Sequence, residues 1–250
     1  MRQRRSAAAC GGLLALAALL GGCSGLFRST APPEQTYYLQ APAAPGPAAP
    51  GPAAASVAPV AGTPSDGGAA QPVSVRVIHP AAAPGLDSAR IMLVQADHRM
   101  NFYAGSRWPS ALPDMVGALT VETLRGSGDW ASVEDAASPF PSDYLLQITV
   151  RRFNADYSGG GTAPVVYVTF ECAIGRREGR ELVATFTADA SATAASNRLS
   201  EVIAAFEQAA SAALSSLSQH ALQAVRAERA GAAAHRAAQN EANPLPSSNR

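Results

Sequence analysis

Apolar residues recur at every second position in several stretches of the chain. Val73, Val75 and Val77 alternate with Ser74, Arg76 and Ile78, the pattern of a half-buried strand. Tyr144, Leu146, Ile148 and Val150 form one face of a second strand, and Val166, Val168, Phe170, Cys172 and Ile174 one face of a third. The stretch "SGGGTAP" between these two predicts a glycine hairpin loop. A turn at Glu178-Gly179 leads into a strand with Leu182, Ala184 and Phe186 on one face. Together the last three strands predict an antiparallel meander. Two shorter runs, Arg90 to Gln95 and Trp130 to Glu134, predict further strands, with a loop over Pro80 to Gly85.

The period changes to helical in two places. Leu112, Met115, Val116 and Leu119 share a face, Pro109 and Pro113 suit a first turn, and Gly126 and Gly128 stop the element. A longer stripe runs through Leu199, Val202, Ile203, Phe206, Ala210, Ala213, Leu214, Leu217 and Ala221, predicting a helix from about Arg198 to Val225 capped by Asn197. The expected architecture is α+β, a mainly antiparallel sheet packed against two helices in a single domain over 73–225. Residues 226–250, rich in Ala, Gln and Asn, are expected to be a disordered tail.

The first 72 residues read differently. Arg2, Arg4 and Arg5 precede a 14-residue apolar run, 7–20, which is shorter than the roughly 20 residues a membrane-spanning helix needs. Leu20-Gly21-Gly22-Cys23 then resembles the lipobox of bacterial lipoproteins. Residues 1–22 are therefore expected to be a lipoprotein signal peptide and Cys23 to carry lipid. Each buried methylene contributes about 0.8 kcal/mol, so two or three acyl chains make a near-permanent anchor where one holds only marginally. Ser24 in place of Asp leans towards the outer membrane. Residues 23–40 form the lipidated N-terminus with a short Tyr37-Tyr38-Leu39 segment, apolar enough to return to the domain as an edge strand. Residues 41–72 hold 8 Pro, 12 Ala and 5 Gly in 32 positions, a linker that cannot bury enough surface to order itself.

Charge and chemistry narrow the function. The 19 basic and 19 acidic residues balance, and losing the signal removes only basic ones, so there is no footprint for nucleic acid. Cys172 is the one thiol left in the domain and is expected to be a small buried hydrophobe. His79, His98, His220 and His235 lack ligand spacing, so no metal is expected. No G-x-S-x-G elbow occurs. The glycines from Gly126 to Gly128 follow a helix and precede a strand, the wrong order for a dinucleotide fingerprint. The Gly159 to Gly161 loop lacks the Lys of a P-loop, and Asp143 and Glu171 make no recognisable acid pair. No enzyme and no cofactor are expected. Phe102, Tyr103, Arg107 and Trp108 are the candidates for partner docking, because aromatic and Arg residues anchor interfaces; the plainer reading of the aromatics is that they fill the junction of sheet and helix.

The order of motifs resembles a known family. The lipidated cysteine, Tyr37-Tyr38 with Leu39, the Val73 strand, Leu86-Asp87 before "ARIMLV", "YAGSRWPSALP" and the long last helix together are similar to the auxiliary lipoprotein component of ABC-type transport systems. This is the PqiC-like family that accompanies MCE-domain proteins. The chain departs from it at Ser88-Ala89, where Arg-Pro is common, and in its longer Pro/Ala stretch. The resemblance implies a lipoprotein facing the periplasm. Its partners would be an MCE-domain protein and an ABC permease/ATPase complex that move lipid between membranes, with members able to form homo-oligomeric rings. The rival expectation is an envelope interaction lipoprotein such as an activator of cell-wall synthesis.

Overall fold

A computed structural model describes residues 34–42 and 72–242. The signal segment, Cys23 and most of the Pro/Ala stretch lie outside the described residues, as do the last eight. Among the described residues, the body that follows Glu34 has nine strands and two long helices.

Three long strands form its centre: β7 (Tyr144–Asp156), β8 (Val165–Arg176) and β9 (Leu182–Thr193), paired antiparallel throughout. This is the meander read from the alternation, and the alternation has its expected cause. Leu146, Ile148 and Val150 on β7 and Val166, Val168, Phe170, Cys172 and Ile174 on β8 are buried on the helix side. Gln147, Arg151 and Glu171 stand exposed on the other. The Cys172 thiol is 4% exposed, and burial pushes its pKa up to about 12, so it behaves as an apolar filler.

The second edge of β7 is shared by three short strands in succession, all parallel to it. β2 (Ser74–Val77) pairs near its start, β3 (Ala81–Ala82) in its middle and β4 (Arg90–Val94) at its end. From there the sheet splays into two arms. One continues from β2 to β6 (Ser132–Glu134), the other from β4 through β5 (Met100–Arg107) to β1 (Gln35–Thr36). The long pairings are antiparallel, as expected; the parallel pairing of the short strands is not legible in their local pattern. Strand β5 is also new. Its alternation is weak, because most of its residues are exposed.

The first helix, α1 (Leu112–Ser127), carries Pro113 in its first turn and is capped by Gly128, whose φ of 69° is the left-handed conformation of a helix stop. The second, α2 (Leu199–Ala242), differs from expectation at both ends. Asn197 does not cap it: its side-chain oxygen accepts from the Tyr157 hydroxyl at 2.8 Å, and the first turn closes on the Arg198 carbonyl instead. Nor does the helix stop near Val225. Seventeen further residues stay helical, because the alanine-rich sequence has high helical propensity and a local tertiary contact holds its root. There Glu228 accepts from the Tyr144 hydroxyl at 2.8 Å and pairs with Arg176.

Candidate partner-docking site

The sequence candidates fall on β5 and the turn after it. The hydroxyl of Tyr103 is 2.8 Å from that of Tyr157, whose own proton goes to Asn197, so Tyr103 donates. Burial and this bond push the Tyr103 pKa up. Phe102 is half-buried beneath the Arg90 guanidinium, which sits 3.7 Å from its ring centroid. Arg107 is exposed; its carbonyl accepts from Tyr37 at 2.9 Å, continuing the short ladder from β1. Leu39, three residues beyond that strand, is 6% exposed and anchors the segment to the core. The expected return of this segment as an edge strand is thus realised two residues early, at Gln35–Thr36.

Trp108 is placed differently from the docking reading. It is 1% exposed and meets Phe153 and Phe206 edge-on, at centroid separations of 5.9 and 5.3 Å, while those two rings stack at 5.3 Å. This trio joins strand, turn and α2, so Trp108 fills the junction and cannot present a ring to a partner. The four candidates do not form one patch either. Neighbouring strand residues point to opposite faces, which separates Phe102 from Tyr103 and Arg107.

The structure brings together a surface that the sequence pattern did not single out. A cleft of about 1560 Å³ lies where β2, β7 and the β8–β9 turn meet. Arg176, Arg177, Arg180 and Arg236 line it, with Ile78 and Leu182 as apolar wall. Leu182 is 63% exposed, and Phe140, just before the lining residue Pro141, is 66% exposed. Arg180 sits in the turn at a φ of 53°, an uncommon conformation for a side chain of its size.

The base of the cleft is held by a reciprocal lock. The Ser74 N–H and hydroxyl donate to Asp143 at 2.8 and 2.7 Å, and the Asp143 N–H donates back to the Ser74 hydroxyl at 2.9 Å. These bonds hold the Asp143 carboxyl below the usual carboxylate range. Glu228 is also held low: its partial burial acts upwards, but the donors from Tyr144 and Arg176 outweigh it. A signal for the cleft existed in "GRREGRELV", three Arg and two Glu around a turn with two apolar residues after them, but charge in a hairpin turn usually means only solvent.

Among the described residues no three His, Cys, Asp or Glu side chains converge as metal ligands, and His79 meets only Asp114, at 3.6 Å. No described helix is long and apolar enough to cross a membrane.

Residues 37–219 match the family described as ABC-type transport auxiliary lipoprotein component. The chain belongs to that family. This auxiliary lipoprotein is similar in fold to XCC0632 of Xanthomonas campestris, with 25% identity and a TM-score of 0.64, over 78% of this chain and 98% of that one. Weaker likenesses, on which no weight is placed, are to a PelC dodecamer of Paraburkholderia phytofirmans and the lipoprotein GNA1162 of Neisseria meningitidis. The first has 20% identity and a TM-score of 0.34 over 59% of this chain and 88% of that one. The second has 14% identity and a TM-score of 0.33 over 53% and 91%. None of the curated proteins compared with the chain matches it. As a member of the family, the auxiliary lipoprotein is an accessory component of the cell envelope and belongs beside an ABC-type transporter.

Proposed function

We propose that the auxiliary lipoprotein is held by acylated Cys23 in the outer membrane, faces the periplasm, and docks on an MCE-domain protein whose permease and ATPase drive lipid between membranes. The family match over residues 37–219 carries this reading, together with the lipobox ahead of it. The work assigned to this chain is binding. The Pro/Ala stretch separates anchor from body, and tethering raises the effective concentration of the body near a partner without new contacts. Assembly of several copies into a ring around that partner is part of the same proposal.

The docking surface follows from exposure. With Trp108 enclosed, the cleft end, with Leu182, Phe140 and Arg180 standing out, offers the apolar and guanidinium contacts that anchor interfaces. Arg107, exposed on β5, is a second and separate candidate contact.

Crosslinking pull-down from whole envelopes tests the reading with the wild-type chain, Cys23→Ala and Leu182→Asp. The MCE protein should be recovered with wild type and much less with either variant. Recovery of peptidoglycan synthases alone would sink the transport reading and support an activator of cell-wall synthesis.

A further inference from the structure

We propose that a groove beside α1 docks an extended, cationic segment of a partner protein, one with Lys or Arg at positions i and i+4. The site is separate from the cleft at Leu182, and the proposal does not depend on which transporter the protein serves.

The groove, of about 610 Å³, opens where β6 ends. Val77, His79 and Pro80 form its floor, α1 one wall, and Asp135, Ala136 and Ala137 the opposite lip. Gly117 permits this layout. A Cβ there would lie 3.1 Å from the Pro80 Cδ, so a glycine lets Pro80 sit close against α1.

The floor carries free backbone groups. The Ile78 N–H donates to the Leu146 carbonyl at 2.9 Å, which turns Ile78 towards β7. Its neighbours Val77 and His79 turn their backbone groups to the opposite side, where β6 lies. Strand β6 follows β2 only as far as the Arg76–Glu134 pair. Beyond it the His79 N–H and C=O have no hydrogen-bond partner among the described residues. An extended segment laid in the groove continues the line of β6 and pairs with them, the mode of strand addition.

Charge selects the occupant. Helix α1 buries its apolar face and leaves Asp114, Ala118 and Glu122, spaced about one turn apart, exposed on the wall of the groove. With Asp135 on the lip, three carboxylates surround apolar and small side chains. Arg125 is the one guanidinium lining the groove, and it donates to the Val133 carbonyl at 3.0 and 2.8 Å rather than to a carboxylate. Asp114 meets His79, Asp135 accepts from the Ala137 N–H at 2.8 Å, and Glu122 has no partner among the described residues. A cationic segment satisfies this rim and an anionic one is repelled. The Pro/Ala stretch of this chain, whose one charged residue is Asp66, does not supply the cations.

The spacing adds a rule. Asp114 and Glu122 are separated by about 12 Å along the helix axis, at 1.5 Å per residue. An extended chain covers that distance in about four residues, and residues four apart share a face. Ala118, midway, leaves room for the residue between the two cations.

The test measures fluorescence anisotropy of a labelled peptide, Ala-Lys-Val-Ala-Val-Lys-Ala, with the full detergent-solubilised chain. The peptide should bind saturably and less well as salt rises, and the same peptide with Glu in place of Lys should not bind. Glu122→Lys turns an attraction into a repulsion and should weaken binding by about tenfold. Ala118→Trp, at an exposed helix position, should abolish binding by filling the groove. Both variants should keep the wild-type melting curve. Leu182→Asp, in the other cleft, should bind as wild type does. The proposal is overturned if folded wild type does not bind the Lys peptide or binds the Glu peptide equally. It is also overturned if folded Glu122→Lys or Ala118→Trp keeps the wild-type affinity, or if Leu182→Asp loses it. A co-purifying lipid or a second copy of the chain, present in wild type and lost in Ala118→Trp, would give the groove to that occupant and end the proposal.

Discussion

Trp108 shows how far a residue's type can mislead about its role. An aromatic beside an Arg, between a strand and a helix, fits a docking anchor as well as a core filler, and only neighbours distant in sequence decide. Phe153 and Phe206 make it core. Trp108→Ala should cost about 3–5 kcal/mol, the range for deleting a large buried aromatic, and lower the melting temperature by roughly 10 °C in a domain of this size. A loss of partner binding with unchanged stability would contradict that placement. Asp143 gives a pH-dependent counterpart. Its pKa is lowered in the folded state by the Ser74 donors, so its contribution is present above the ordinary carboxylate value of about 4 and is lost as pH falls through the lower folded value. Urea melts of wild type and Asp143→Asn should differ at pH 7, begin to converge as pH falls below ~4, and meet only below the lowered folded value.

At the scale of elements, what local periodicity could report, it reported. The β7–β8–β9 meander, the first turn of α1 at Pro113 and its stop at Gly128 all lie where pattern and turn chemistry put them, because each depends on residues close in sequence. Strand β5 was missed since an exposed strand has no buried face to create alternation. The length of α2 is not legible in periodicity, because the apolar stripe ends near Val225 whereas alanine keeps the backbone helical without burial. Gly175 makes the same point. A Cβ there would lie 2.7 Å from the Glu181 carbonyl oxygen, a collision with backbone across the β8–β9 turn. Gly175→Ala should destabilise the chain by about 1–3 kcal/mol, the usual cost of overpacking, measured by chemical denaturation. A neutral result would mean that the turn is looser than this close approach implies.

At the scale of the whole molecule, the proposed function divides the work between an anchor at Cys23, a tether and the folded body. If acylated Cys23 holds the protein to a membrane, Cys23→Ala should move it from the membrane pellet to the soluble periplasmic fraction with its melting curve unchanged, since the folded body starts only after Glu34. Persistence of the variant in the pellet would place the attachment elsewhere. The α+β class and the family were determined by the sequence alone, because period, short-range spacing and motif order are properties of the chain read in line. The enclosure of Trp108, the cleft beside the Ser74–Asp143 lock and the groove beside α1 were decided by tertiary structure. Each depends on which distant segments meet, or fail to meet, and burial and hydrogen-bond satisfaction are settled only by that assembly.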